Sequence, residues 1–416
     1  MSPRPWSISC MTARMDSSDC GSLTSVISCP PRSPQADSFA SGQKGTPRLG
    51  RRGRRFPNHT SGSPRWCPRL PFRAMSTDAA SIAPDRPVGL TFASFQALGL
   101  DVGLAMARTA RDAGCSSFWT AETVGTEAFA TLGAVAAGVG GLDLGTGVLA
   151  LQLRTPQVAA MGAATLQALA PDREVLLGVG ISSPVVVGRW HGAEYGTRPV
   201  AQVREFLELT AACLSGEPVT YDGEFYSANR FRLGVRLHGP RPQLVLGALN
   251  QRMLRLAGEL ADGVLLNYLP ASAVPWCVEQ VRAGEQFAQR EPGSCRIHAY
   301  VHVGVCDPDR ARPSGRKDLF SYAVVDAYAR AFERAGFEDE IAALRAAHAA
   351  GDREAAIAAV SDRMVDAIDI CGDAAHVATA VQEYRDAGVE SPVIMPMPWG
   401  EDRVATVEAT IDAVTG

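Results

Sequence analysis

The sequence predicts an α/β fold, a (β/α)8 TIM barrel with a mainly helical insertion before the last strand. Eight short apolar segments alternate with longer amphipathic segments from residue 87 to the carboxyl terminus. Alternating β and α elements predict parallel strands joined by right-handed crossovers, and continuously apolar strands are typical of a sheet covered on both faces. Because no GxGxxG motif follows the first strand, a doubly wound dinucleotide-binding sheet is disfavoured.

The eight apolar segments are the predicted barrel strands, and they span residues 87–92, 116–122, 142–151, 173–181, 242–249, 263–269, 297–305 and 391–398. The segments between them have helical periodicity. The first helix is expected to end at Gly114, and the helix after the third strand to begin at Thr155-Pro156. A helical stretch longer than one crossover, about residues 309–388, is the predicted insertion.

The first 74 residues differ in composition from the rest of the chain. They hold 12 Lys and Arg against 3 Asp and Glu and are rich in Ser and Pro. They have no core pattern, so we expect disorder here. The favoured explanation is a translation start assigned upstream of Met75, which leaves 75–416 as a single barrel domain. A targeting peptide and a nucleic-acid-binding arm are the alternatives; the arm would use Arg51, Arg52, Arg54 and Arg55.

Composition narrows the class of protein. The net charge is −4, and no apolar run reaches the roughly 18–20 residues that span a bilayer. We therefore expect a cytoplasmic protein with a small-molecule substrate, without nucleic-acid or membrane partners, and with a homodimer as one expected assembly. None of the ten cysteines belongs to a CxxC pair, so reduced buried thiols are expected and a metal site is not.

Polar residues and glycines mark the carboxyl ends of the predicted strands, where active sites of such barrels lie. Strand two ends in Thr-Ala-Glu, with Glu122 last, and strand four ends in "GVGISSP". Strand five ends in "LGALN", where Asn250 is expected to cap the following helix and its amino terminus to offer N–H groups to a phosphate. Gly145 and Gly147, which lack a Cβ, would allow a planar ligand close to the backbone.

The segments "LGTGVL", "LGVG", "WHG", "LSGEPVTYDGEFY" and "RLAGELADG" together resemble the luciferase-like monooxygenase superfamily, in its branch that uses the deazaflavin coenzyme F420. The resemblance covers about residues 87–416. It implies a non-prolyl cis peptide bond at Gly147-Val148 beneath the cofactor ring. The residues that it and the strand-end pattern assign to the cofactor are Gly147, Val148, Gly180, Ser182, Ser183, Val245, Gly247, Ala248, Leu249, Asn250 and Arg252.

Two residues are predicted as catalytic. Glu122 ends an apolar strand, where burial would raise the pKa of its carboxyl, and a charged rim residue is the alternative. His191 follows Trp190 on a loop near the mouth, and a solvated loop residue is the alternative there. His302 is expected to be a hydrogen-bonded core group rather than a site residue.

The sequence departs from the sugar-phosphate dehydrogenases of the same branch. Those enzymes carry a histidine after the strand-two acid, where this chain has Thr123. They carry a glutamate after the strand-four glycines, where this chain has Ser183. The resemblance therefore predicts hydride transfer between F420 and an organic substrate of another class. An FMN-dependent monooxygenase and a non-catalytic cofactor-binding barrel are the alternatives. Arg189 and Arg252 are the predicted partners of the anionic F420 tail.

Overall fold

The computed structural model describes residues 87–416, so the expectations for residues 1–74 lie outside the described part of the chain. The strands are β1 Gly89–Thr91, β2 Ser117–Thr120, β3 Asp143–Thr146, β4 Leu149–Ala150, β5 Val175–Gly180, β6 Val219–Asp222, β7 Ser227–Phe231, β8 Gln243–Gly247, β9 Gly263–Leu266, β10 Arg296–Val305, β11 Asp369–Gly372 and β12 Ser391–Pro396.

Eight parallel strands close into a barrel. Seven lie inside predicted segments, and β10 begins one residue before its segment. Their order is β1-β2-β3-β5-β8-β9-β10-β12, and β12 pairs back with β1. In β10, His298 pairs with Leu265 of β9 on one side and with Ser391 of β12 on the other, which completes the closure. The predicted (β/α)8 barrel is therefore confirmed.

The helices surround the barrel. They are α1 Leu100–Asp112, α2 Ala128–Gly138, α3 Pro156–Leu169, α4 Pro199–Leu214, α5 Gln251–Leu260, α6 Val274–Phe287, α7 Pro308–Ala323, α8 Asp326–Phe332, α9 Glu338–Ala349, α10 Arg353–Ala358, α11 Asp362–Ile368, α12 Ala374–Asp386 and α13 Arg403–Thr415. Thr155 begins α3 as predicted, because its side chain accepts a hydrogen bond from the Val158 amide and Pro156 follows it.

Two features outside the closed barrel were not predicted from the sequence. The segment that contains "EPVTYDGEFY" folds into the antiparallel hairpin of β6 and β7. Inside the predicted helical insertion, β11 pairs in parallel with the carboxyl-terminal half of β10, from His302↔Asp369 to Val305↔Gly372. A four-residue strand directly after α11 has too few residues to break the helical periodicity of its neighbourhood.

Three apolar cores hold these layers together. The largest lies between the barrel strands and the surrounding helices. The barrel interior forms a second core around Trp119 and Tyr300. The insertion has its own core, in which Tyr268 from the β9 end packs with Phe332 of α8. The insertion helices α7 and α8 therefore stand against the carboxyl ends of β9 and β10. Among the described residues no helix is both long and apolar enough to cross a membrane.

Candidate active site at the barrel mouth

Val148 forms the floor of the barrel mouth. The Gly147-Val148 peptide bond is cis, as the resemblance implies. A Cβ built on Gly180 would lie 2.8 Å from Val148 Cγ2, and one built on Gly247 would lie 3.2 Å from Val148 Cγ1. A Cβ on Gly178 would also lie 3.3 Å from Val148 Cγ1. The glycines at the ends of β5 and β8 therefore leave room for this partly exposed valine.

This arrangement corrects the expected role of the strand-three glycines. A Cβ on Gly147 would lie 1.9 Å from the Tyr300 hydroxyl oxygen, and one on Gly145 would lie 2.2 Å from the Trp119 ring. The Cβ atom built on each glycine points into the barrel interior. These glycines therefore make room for aromatic side chains rather than for a ligand. The sequence alone could not distinguish the two, because each use requires only the absence of a Cβ.

The loop after β5 carries both predicted serines. Ser182 is exposed and has a φ of 50°, and its carbonyl accepts a 3.4 Å hydrogen bond from Tyr195. Ser183 Oγ accepts a 3.2 Å hydrogen bond from the Val186 amide at the start of the helical turn Val185–Trp190. The Ser183 hydroxyl proton is not used in that bond. Both hydroxyls therefore keep a donor for a ligand at the mouth.

The end of β8 differs in part from expectation. Val245 has no exposed surface and lies in the barrel interior core, so its side chain is not available to a ligand. Gly247 and Leu249 are partly exposed, and Ala248 is buried. The amide of Ala248 donates to the Leu265 carbonyl at 3.2 Å.

Asn250 does not cap α5 through its side chain, which corrects the expected cap. Its Nδ2 donates to the Ala327 carbonyl at 3.1 Å, on α8 of the insertion. Arg334 donates to the Leu249 carbonyl at 2.7 Å, and its guanidinium lies 3.9 Å from the centroid of the Trp276 ring. The insertion therefore meets the barrel at this turn, a long-range contact that local sequence patterns do not encode.

Arg189 and Arg252 lie on the elements that follow β5 and β8, two neighbouring strands of the barrel. Both are exposed, and neither has a hydrogen-bond or ion-pair partner among residues 87–416. Two uncompensated guanidinium groups at one side of the mouth favour an anionic ligand there.

Glu122 lies just after β2 and is largely buried. Its Oε1 accepts hydrogen bonds from the Ala128 amide at 2.9 Å and from Arg154 Nη2 at 2.7 Å. Arg154 also pairs with Glu127. Burial raises the pKa of the Glu122 carboxyl, while the Ala128 amide and Arg154 lower it. Sequence reasoning missed Arg154, although it stands in the conspicuous "LQLRTP" segment.

His191 contacts Thr123, the residue that follows Glu122. Its Nε2 is 2.6 Å from the carbonyl oxygen of Thr123, so Nε2 carries a proton and donates it. The ring is exposed, and in the neutral form Nδ1 is left as an acceptor. The structure thus brings the two predicted catalytic residues to one junction between the β2 and β5 loops. Trp190 beside it is exposed by 39%.

His302 is a hydrogen-bonded core residue, as expected. Its Nδ1 lies 2.9 Å from Asp369 Oδ1 and its Nε2 lies 2.8 Å from Asn267 Oδ1. Tyr268, with a φ of 51°, donates to Asp318 Oδ2 at 2.8 Å. Burial lowers the pKa of His302 to about 4 and raises that of Asp318 to about 7, helped for Asp318 by the Asp369 carboxylate. Burial also raises the pKa of Asp369 well above its ordinary value.

The sequence model of the luciferase-like monooxygenase family matches residues 90–391 of this chain. A Mycobacterium tuberculosis protein provisionally named a coenzyme F420-dependent oxidoreductase is 29% identical over 309 residues, which are 68% of this chain and 88% of that protein. The 5,10-methylenetetrahydromethanopterin reductase of Methanopyrus kandleri is 27% identical over 280 residues, which are 64% of this chain and 80% of that protein.

The same fold occurs in the structure of the coenzyme F420-dependent tetrahydromethanopterin reductase from Methanopyrus kandleri. The two superimpose with a TM-score of 0.67 at 23% identity, over 79% of this chain and 97% of that chain. This likeness supports the barrel, and the family match spans most of the described residues. The chain belongs to the luciferase-like monooxygenase family.

Proposed function

We propose that this chain is a coenzyme F420-dependent oxidoreductase that transfers a hydride between the deazaflavin and a small organic substrate at the barrel mouth. The observation that carries the proposal is the similarity to a protein provisionally named a coenzyme F420-dependent oxidoreductase, over 88% of that protein's length. When bound, the deazaflavin supplies a carbon centre that exchanges hydride as a two-electron unit.

The residues at the mouth fit such a cofactor. Val148 offers a partly exposed apolar surface for one face of a planar ring, on a floor fixed by the glycines of β5 and β8. Arg189 and Arg252 are exposed cations without partners in the described chain, and they suit the anionic tail of F420. The remaining proposed cofactor contacts are Gly180, Ser182, Ser183, Gly247, Ala248, Leu249 and Asn250, and the last four of these would contact the cofactor through the backbone turn.

His191 is the proposed proton donor or acceptor. Its ring lies against Thr123, the position at which related sugar-phosphate dehydrogenases carry a histidine. The bond from Nε2 to the Thr123 carbonyl fixes the ring, which leaves Nδ1 to exchange a proton with a substrate oxygen. Glu122, held by Arg154 and the Ala128 amide, is proposed to orient this loop and to keep a negative charge beside the imidazole.

Turnover of F420 tests the reaction. Oxidised F420 is mixed with a panel of alcohols, and reduced F420 with a panel of ketones and enones, while the deazaflavin absorbance is followed. We expect at least one substrate class to change the redox state of F420, and His191→Ala to slow that change by about 10²–10⁴-fold. His376→Ala, an exposed histidine on α12, is the control that should keep wild-type turnover.

The family description supports one second candidate, an FMN-dependent monooxygenase. The phosphate carried by both cofactors does not separate them, since a helix amino terminus accepts either. Oxygen consumption that requires reduced FMN, with no turnover of F420 on either panel, would favour this candidate.

The proposal also includes a cytoplasmic location and a homodimeric assembly. All six cysteines of the described residues are free thiols, which supports the cytoplasm. Val158, Met161 and Leu169 on α3 are each about half exposed and share one helix face, which supports a homodimer through α3. Sedimentation of the wild type and of a Met161→Glu variant tests the dimer, and equal masses would contradict an α3 interface.

A further inference from the structure

A buried polar cluster joins the helical insertion to the barrel. It contains His302 from β10, Asp369 from β11 and Asp318 from α7. One potential ligand atom from each of the three lies within 4.8 Å of the other two. His302 and Asp369 are 1% exposed, and Tyr268 packs on the imidazole with ring centroids 4.3 Å apart. Two of the three groups are therefore fully buried, whereas Asp318 is partly exposed.

The hydrogen bonds around His302 orient the lone pair of its Nδ1 toward Asp369. Asn267 Oδ1 accepts from the Tyr268 amide at 2.9 Å, which identifies this atom as the oxygen. His302 Nε2 must then donate its proton to Asn267 Oδ1. The neutral ring directs its Nδ1 lone pair at Asp369. Metal-binding histidines are oriented in this way, by an outer hydrogen bond from the other ring nitrogen.

The two carboxylates lack a compensating cation. Within residues 87–416 no arginine or lysine forms an ion pair with Asp318 or Asp369. Asp369 Oδ2 is fully buried and has no hydrogen-bond partner in that part of the chain. A Cβ built on Gly315 would lie 3.6 Å from this oxygen, so it faces the side of α7 on which Asp318 stands one turn later. A fully buried carboxylate beside a partly buried one is costly unless protons or a cation neutralise the pair.

We propose that His302 Nδ1, Asp318 and Asp369 bind one divalent transition-metal cation, with Zn²⁺ as its representative. One imidazole and two carboxylates are an accepted ligand set for Zn²⁺, and the two carboxylates neutralise its charge. The unpartnered Asp369 Oδ2 supplies a further oxygen. Tyr268, which donates to Asp318 Oδ2, and Asn267 provide the outer hydrogen bonds.

The bound cation has a structural role. It links α7 to β10 and β11, and so fastens the insertion over the carboxyl ends of the barrel strands. The sequence predicts no metal site because the three ligands lie far apart along the chain, on separate elements. The inference is independent of the proposed hydride transfer, since its readout is metal binding.

Calorimetric titration of the full chain with ZnCl₂, after treatment with a chelator and dialysis near neutral pH, tests the site. We expect one Zn²⁺ per chain and a rise in the unfolding temperature with free Zn²⁺. Asp318→Asn and Asp369→Asn should each weaken binding by more than about 100-fold, and Asn267→Ala by about 10- to 100-fold. Asp339→Asn, an exposed acid on α9, is the matched control and should bind as the wild type does.

Two results would overturn the proposal. One is the absence of saturable one-to-one binding to the wild type, which would mean that protons neutralise the cluster. The other is equal affinity in the wild type and the Asn267→Ala variant, together with equal affinity in whichever aspartate variant folds. The first result is measured on the wild type, so the proposal can be contradicted even if none of the variants folds.

Discussion

The Tyr300 hydroxyl crosses the barrel interior and donates a 3.1 Å hydrogen bond to the carbonyl oxygen of Gly147. It also accepts a 3.2 Å hydrogen bond from the Thr91 hydroxyl. Since β3 and β10 stand on opposite sides of the barrel, this contact fixes the backbone beneath Val148 from the far wall. The floor of the proposed cofactor site is therefore supported from inside the barrel.

Gly147→Ala should destabilise the fold. The new methyl group would meet the Tyr300 hydroxyl at 1.9 Å and Leu265 Cδ2 at 3.0 Å, both in a packed interior. Overpacking of this kind costs about 1–3 kcal/mol or more. The free energy of unfolding in urea measures the loss.

Gly133→Ala is the matched control for this change. Gly133 lies inside α2, and a Cβ built there meets nothing within 4 Å. Alanine should stabilise that helix by about 0.5–1 kcal/mol. If the Gly147 variant is as stable as the wild type, the interior contact with Tyr300 is not present in solution.

Buried thiols predict a loss of stability at alkaline pH. Burial raises the pKa of Cys115 and Cys295 from 9.0 to about 12, and that of Cys213 and Cys277 to about 11. Above pH 9 the unfolded thiols ionise while the folded ones remain protonated, so the unfolded state binds fewer protons. Each thiol then removes up to about 1.4 kcal/mol of stability per pH unit until its folded pKa is reached.

Urea unfolding at intervals between pH 8 and 11 measures this slope. Cys213→Ala should reduce the slope above pH 9, whatever its effect on stability at neutral pH. A free energy of unfolding that is constant through pH 10 in the wild type would contradict the burial of these thiols.

A chain that begins at Met75 should unfold at the same temperature as the full chain. The barrel closes through the pairing of β1 with β2 and β12, all within the described residues. The removed segment has no core pattern in its sequence. Differential scanning calorimetry compares the two chains, and a fall of several degrees in the shorter one would show that residues 1–74 contribute to the fold.

The fold was predictable because its signal is local and repeated. Each barrel strand lies in a short, mainly apolar segment, and eight such segments alternate with segments of helical periodicity. β11 escaped prediction because its pairing with His302 is a long-range contact. An aspartate inside the apolar run "AIDIC" was the available signal, since a buried acid needs a specific partner.

The site was predictable to a smaller extent. Glycines at strand ends marked the mouth, but their use depends on which side chain fills the space that each leaves. Val148 fills it at Gly180 and Gly247, whereas Tyr300 fills it at Gly147. The glycines meet these side chains only because the barrel closes, and no short segment of the sequence predicts which side chain will lie beside which glycine. Likewise, the bond of Asn250 to Ala327 replaced an ordinary cap only because the insertion packs there.

The central claim is that the mouth of this barrel binds coenzyme F420 in preference to FMN. Equilibrium titration of the full chain with each cofactor, at low and at moderate salt, tests it most directly. Arg189→Ala and Arg252→Ala should each weaken F420 binding by about 2- to 5-fold, while leaving FMN binding unchanged. Arg108→Ala is the control, because within residues 87–416 that exposed arginine on α1 bonds only to the Leu104 carbonyl of its own helix. We predict tight F420 binding that weakens with salt. Micromolar or tighter FMN binding without F420 binding would contradict the assignment.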